Sequence, residues 1–220
     1  MTQRDSLVQV ELARAATLQK ALEISELQRE SVEIDVKMKR IAYAREMASN
    51  FNHHFYPFTD PVTAQTVGVC IETLNCWSRL SPKCAIEIGF YSPGGMVFPG
   101  VALFDHICAL RSKGHYITTN VLGYAASMAG ILLQAGDLRV MGRESYVLIH
   151  EISTQAAGKI GEIEDAAVFL EKFQSRAVDI FIARAGGNIS RATFIKKQKR
   201  KDWWLSSQDC LKYGFVDEVR

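Results

Sequence analysis

The first 50 residues contain neither glycine nor proline. Nothing in them forces a turn or removes a helical hydrogen bond. Their charged side chains balance at eight of each sign, so no strong self-repulsion or polyanion-binding arm is implied. Apolar residues recur at helical spacing, as in Leu18/Leu22 and Ile34/Met38/Ile41. The segment therefore reads as one long helix or a helical hairpin. Continuous, it would run about 75 Å at the helical rise. Its heptad pattern is imperfect, which leaves a mobile arm and an intersubunit brace both open.

Other absences narrow the field. Cysteine is sparse and odd in number (Cys70, Cys76, Cys84, Cys108 and Cys210), mostly within apolar runs and without a Cys-x-x-Cys pair. Buried thiols in a reducing compartment fit that usage better than disulfides. The five histidines lack metal-ligand spacing, and no metal or cofactor is called for. No apolar run approaches the ~20 residues that span a bilayer. The N-terminus is too charged for a signal peptide, so a cytoplasmic location without a membrane partner is expected. Lys+Arg 26 against Asp+Glu 24 leaves +2, which argues against nucleic acid as the main ligand. A chain of 220 residues suits one domain plus an extension, divided here as residues 1–50 and 51–220.

After Pro57 strand and helix signals alternate. Asp60-Pro61 supplies N-cap and first-turn residues for a helix carrying Val62 to Leu80. Ala85 to Tyr91 reads as a strand ending at the turn Ser92-Pro-Gly-Gly95. A helix through Val101 to Arg111 closes at Gly114. Tyr116 to Leu122 and Tyr146 to Ile152 are further strands. Gly161 to Ala185 is a long amphipathic helix capped by Gly186-Gly187. Two more helices, Ile189 to Lys199 and Ser206 to Tyr213, precede a last strand from Phe215 to Val219. Repeated β-α-β order predicts an α/β fold with a largely parallel sheet.

One segment stands out chemically. Gly123-Tyr-Ala-Ala-Ser-Met-Ala-Gly130 places Ser127 among small residues that let a strand bend sharply into a helix. Ser127 could serve close packing alone, as its alanine neighbours do. As a nucleophile it would need a base and two amide donors for an oxyanion. The amides of Gly95 and Met128 are candidates for that pair, because two successive glycines permit an N–H to face a ligand. His150, at the end of the run Tyr146 to His150, competes with His53, His54, His106 and His115 for the base. It alone ends a strand. Asp202 is a candidate orienting carboxylate, with Asp137, Asp165 and Asp179 as rivals that spacing does not exclude. The run Lys196 to Lys201 fits a solvated basic face better than a nucleic-acid platform, and Trp203 and Trp204 read as core or interface anchors.

From about Phe55 to Arg220 these motifs, in this order, resemble the proteolytic subunit of the Clp protease. They are Pro61-Val-Thr, Tyr91-Ser-Pro-Gly-Gly95, Gly123 to Ala129, Val147-Leu-Ile-His150, Asp202-Trp-Trp-Leu-Ser206 and Tyr213-Gly-Phe-Val-Asp217. The resemblance implies the α/β fold shared by that family and the crotonases, here with an N-terminal helical extension. It also implies an ATP-dependent Clp-type serine endopeptidase with Ser127 as nucleophile, His150 as base, Asp202 as orienting carboxylate, and Gly95 and Met128 as the oxyanion hole. Gly94 and the segment from Glu151 through Ile152 and Ser153 to Gly158 would bind polypeptide substrate by strand addition. A homo-oligomer, a heptameric ring or stacked pair of rings enclosing the sites, is implied as well.

The departures are specific. Tyr124 stands where the family usually has glutamine, and Glu151-Ile152 where it has Gln-Pro. Glu87 and Gly89 replace two aromatics that help form the docking pocket for an AAA+ unfoldase. The 50-residue helix replaces a short gating hairpin. These changes argue against a conventional unfoldase partnership and fit a stand-alone or phage-type protease. Two other readings come from different classes. One is an inactive ring-forming scaffold that binds a partner through the N-terminal helix. The other is a crotonase-type acyl-CoA enzyme, which has no need of a Ser/His/Asp set.

Overall fold

The glycine-free N-terminal stretch folds as α1 (Gln3–Met47), 45 residues without interruption. The hairpin alternative fails for want of any turn residue. The computed structural model describes residues 3–153 and 158–220. The chain forms two units, Met1–Asn52 and His53–Arg220.

The second unit contains β1 (Phe55–Phe58), α2 (Ala64–Leu80), β2 (Ala85–Ser92), α3 (Val97–Ser112), β3 (Tyr116–Ala126), α4 (Met128–Leu133) and β4 (Leu138–Met141). After these come β5 (Tyr146–Ile149), α5 (Ile160–Arg184), α6 (Arg191–Gln198), β6 (Trp203–Ser206), α7 (Ser207–Tyr213) and β7 (Glu218–Val219). The sheet runs β1-β2-β3-β4-β7, every neighbour parallel. β3 is long enough to serve two partners. Thr118 to Val121 pair with β4, and Tyr124 to Ala126 pair with β5. Gly123, at φ 90°, stands between the two stretches. β6 then adds antiparallel to β5. The result is the expected α/β fold with a largely parallel sheet.

Alternation along β2 sets one face against the core. Ile86, Ile88, Phe90 and Ser92 are buried, while Glu87 and Tyr91 are more open. On that open side Asn120 Nδ2 donates to Glu87 Oε1 at 3.1 Å, and the ring of Phe55 lies where a Gly89 side chain would stand. The core behind the sheet includes Leu74, Trp77, Leu103, Ile107 and Leu132. Each such side chain contributes roughly 1.5–3 kcal/mol by burial. A second group of rings, Phe181, Phe194, Trp203, Tyr213 and Phe215, joins α5, α6 and β6 to the C-terminal turn.

Several boundaries differ from expectation. α2 begins at Ala64, capped reciprocally by Thr63 and Thr66, and Asp60-Pro61 does not start it. The earlier residues serve the glycine turn instead. Ser92 Oγ donates to Asp60 O at 2.7 Å, and Val62 bridges Gly95. β3 continues four residues past Leu122, because β5 provides a fresh partner. β5 stops at Ile149 and not Ile152, since Glu151 and the Ile152 amide are engaged elsewhere. β1, β4 and β6, four residues each, are too short to show a period in sequence.

Candidate active site

The backbone at Ser127 is unusual. Its φ of 55° and ψ of −119° lie where a residue with a side chain is strained by about 1–3 kcal/mol. The turn is clamped on both sides. Ser127 N–H donates to Leu148 O at 2.9 Å, and its carbonyl accepts from Ile131 N–H at 3.3 Å. Ala125, Ala126, Ala129 and Gly130 surround it, all buried, so β3 turns into α4 without a bulky side chain in the way. A strained strand-to-helix serine of this kind projects its hydroxyl outward. α4 is only six residues long. Individual first-turn amides, more than a helix dipole, are therefore what this end offers. Met128 N–H, at its first position, has no carbonyl partner within the helix.

Gly94 and Gly95 run against this elbow. A side chain at Gly94 (φ 83°) would meet Ala126 O at 2.4 Å, Met128 N at 2.8 Å and Ser127 Cβ at 2.9 Å. Gly95 (φ 147°) is straddled by Val62, which donates to Gly94 O and accepts from Met96 N–H. That pattern leaves the Gly95 amide directed away from Val62. The glycine pair is thus required by close approach and by conformation together.

His150 and Asp202 are brought to the same end of the sheet. Ile149 pairs with Trp203 in the antiparallel ladder. The next opposed residues are His150, just past β5, and Asp202, just before β6. Leu148 is in register with Ala126, so Ser127 ends the neighbouring strand. The three residues therefore stand at the ends of neighbouring strands, Ser127 and His150 partly buried and Asp202 exposed, and among the described residues no hydrogen bond joins their side chains.

The rivals lie elsewhere or are occupied. His115 precedes β3, a whole strand away from Ser127, or about 36 Å for eleven residues. It is buried against Ser78 and Cys84. His54 packs edge-on against Trp77, and His53 adjoins it ahead of β1. His106 sits within α3, where burial and then Lys113 hold its imidazole below the usual histidine range. Asp137 receives Arg111 Nε at 2.6 Å and the Ile117 amide at 2.9 Å. Asp179 pairs with Arg191, and Asp165 is exposed on α5.

Beside Ser127 and His150 lies a narrow cleft of about 30 Å³, room for little more than a water molecule, walled by Ile131, Ile149, Ile152, Ala177, Phe181 and Phe194, with Gln174 and Gln198 as its polar members. These helix residues escaped sequence reading, since α5 and α6 showed only a general amphipathic pattern. Glu151 Oε2 accepts from the Arg200 amide at 2.8 Å, and Ile152 N–H donates to Gln174 Oε1 at 2.7 Å. Those groups are committed to the protein. Ser153 is exposed, and residues 154–157 of the expected peptide-binding segment lie outside the described residues. Within the basic run, Lys197 lies over the rings of Trp203 and Tyr213. Trp203 is half-buried and Trp204 half-exposed. Among the described residues no group of three His, Cys, Asp or Glu could hold a metal ion, and no helix is long and apolar enough to cross a membrane.

Comparison with known proteins agrees with the motif order. Over 160 residues the chain is 29% identical to the ATP-dependent Clp protease proteolytic subunit of Dehalococcoides mccartyi strain BAV1, covering 72% of this chain and 77% of that protein. It is 27% identical over 161 residues to the subunit of the same name in Deinococcus radiodurans, covering 72% and 76%. Residues 51–220 match the family model described as Clp protease, and the chain belongs to that family.

Proposed function

We propose that the protein is a serine endopeptidase in which Ser127, His150 and Asp202 act as a triad. The observation that carries this reading is the strained Ser127 at the β3–α4 turn, beside the strands that bear the other two residues. His150 takes the hydroxyl proton as Ser127 Oγ attacks a peptide carbonyl, and Asp202 orients the imidazole. The Gly95 and Met128 amides receive the oxyanion, which is worth about 2.7–4 kcal/mol per donor in comparable sites. His150 then protonates the leaving amine, and water releases the acyl group from Ser127. Gly94 and the stretch from Glu151 to Ser153 border the extended peptide.

The reading extends to assembly and location. The curated relatives are named as subunits of an ATP-dependent protease. By that analogy this chain forms a homo-oligomeric ring, heptameric or doubly stacked, with its sites facing an internal chamber in the cytoplasm. Glu87 and Gly89 stand where the family has two aromatics, with Asn120 and the Phe55 ring about them, so an AAA+ unfoldase would meet an altered docking surface. A fluorophosphonate should label Ser127, and Ser127→Ala should abolish hydrolysis of a fluorogenic peptide while leaving assembly intact. Unchanged turnover in that variant overturns the assignment.

A further inference from the structure

Ile24, Leu27, Ile34, Met38 and Ile41 recur three and four residues apart along α1, with Ser31 the one polar member of the row. This is the spacing of a helix face that supercoils with another helix. Every one of the five is exposed, as is every other side chain described on the helix. Helices in proteins draw most of their stability from packing an apolar face. We propose that this face pairs with the same face of α1 in a second copy of the chain, antiparallel and about a twofold axis.

The row is self-complementary in that arrangement. Ile24 meets the partner's Ile41, Leu27 the partner's Met38, and Ser31 the partner's Ile34, each contact occurring twice by symmetry. The seam spans 18 residues, or roughly 27 Å. Lys20 and Arg45 occupy the next positions of the row and end it at either side. Leu18, Leu22, Val32 and Val36 lie on the opposite side of the helix, where Ser25 and Arg29 break the row. The face from Ile24 to Ile41 is therefore the more continuous seam.

Charge fixes the direction. Glu30 and Lys37 flank one edge of the seam, Gln28 and Asp35 the other. In an antiparallel pair like edges meet, so Glu30 faces the partner's Lys37 twice and Gln28 faces the partner's Asp35. In a parallel pair opposite edges meet, and Glu30 would face the partner's Asp35 twice. The first arrangement has two attractions, the second two repulsions.

The test uses the full chain carrying Ile24→Cys or Ile41→Cys, each produced alone and the two produced together, then mildly oxidised. The unsubstituted chain gives the background from its own cysteines. A disulfide-linked pair of chains is expected only in the joint sample, since in an antiparallel pair the two copies of position 24 stand roughly 25 Å apart. Linkage of Ile24→Cys with itself, or none in the joint sample, overturns the proposal. Adding Glu30→Lys should lower the linked yield about tenfold, and adding Lys37→Glu as well should restore it. A yield indifferent to both changes overturns the assigned direction. None of these measurements reads peptidase activity, so the outcome stands apart from the function proposed above.

Discussion

The Glu151 carboxylate accepts the Arg200 backbone N–H at 2.8 Å, fastening the chain just beyond His150 to the chain just before Asp202. The bond continues the β5–β6 pairing by side chain where the ladder itself has stopped. Under the proposed triad, Glu151→Ala should leave His150 and Asp202 less well aligned and lower kcat by roughly 10- to 100-fold, the range for small misplacements. Glu151→Gln should recover most of the rate, because the amide oxygen can accept the same bond. A change in KM alone would instead mean that Glu151 serves the peptide it borders and not the alignment of His150 with Asp202.

Gly94 should tolerate no side chain. A Cβ there meets Ala126 O at 2.4 Å and Met128 N at 2.8 Å, so the elbow must shift. Gly94→Ala should cost about 1–3 kcal/mol through overpacking and lower kcat by roughly 100-fold or more through the displaced Met128 amide. Gly187→Ala is the control. Its φ is 87°, but nothing lies within 4 Å of an added Cβ, so it carries the conformational cost without the clash. Peptide hydrolysis should be normal in Gly187→Ala. Equal activity loss in both variants would refute the steric argument.

What could be read from sequence, and what could not, follows from length and locality. α1 was legible because 50 residues without glycine or proline leave the chain little else to be. The elbow at Ser127 was legible because small residues crowd a single turn. The start of α2 was misread, since Asp60-Pro61 and Thr63 both carry capping chemistry and only the Val62–Gly95 bridge decides between them. The cleft beside Ser127 was invisible. Gln174, Phe181, Phe194 and Gln198 reach it from two helices, and no local pattern marks which residues of an amphipathic helix will meet a distant serine. Likewise, the pairing of Ile149 with Trp203, which sets His150 opposite Asp202, is a long-range register that motif order alone cannot supply.

Thiol chemistry should separate the cysteines. Cys70 and Cys210 are buried, and burial pushes both thiols up, Cys210 to about 12. The thiolate is the reactive form. Brief iodoacetamide treatment of the native protein at pH 8 should spare these two and modify them only after denaturation, as read by peptide mass spectrometry. Peptidase activity should survive treatment that spares them if the nucleophile is the proposed Ser127 hydroxyl. Rapid native labelling of Cys70 or Cys210 would show that the core around them opens readily.

Acid should act through Asp217. Its carboxylate is partly desolvated, which alone would raise its pKa, but the hydrogen bonds and charge of Arg139 prevail and hold it below the ordinary 3.8. Arg139 is buried and donates to both Asp217 oxygens, to Gln134 Oε1 and to Gly214 O. A carboxylate with a depressed folded pKa stabilises fully above its unfolded value, and that contribution is lost as pH falls through the folded value. Asp217→Asn should therefore cost about 2 kcal/mol at neutral pH, below the figure for a fully buried pair because Asp217 is about a third exposed. Denaturant unfolding of the two chains should show that gap unchanged from pH 7 to 5 and shrinking below pH 3.8 as the natural carboxylate takes up its proton. A gap that stays constant down to the acid limit would mean that Arg139 is held by Gln134 and Gly214 without help from the charge on Asp217.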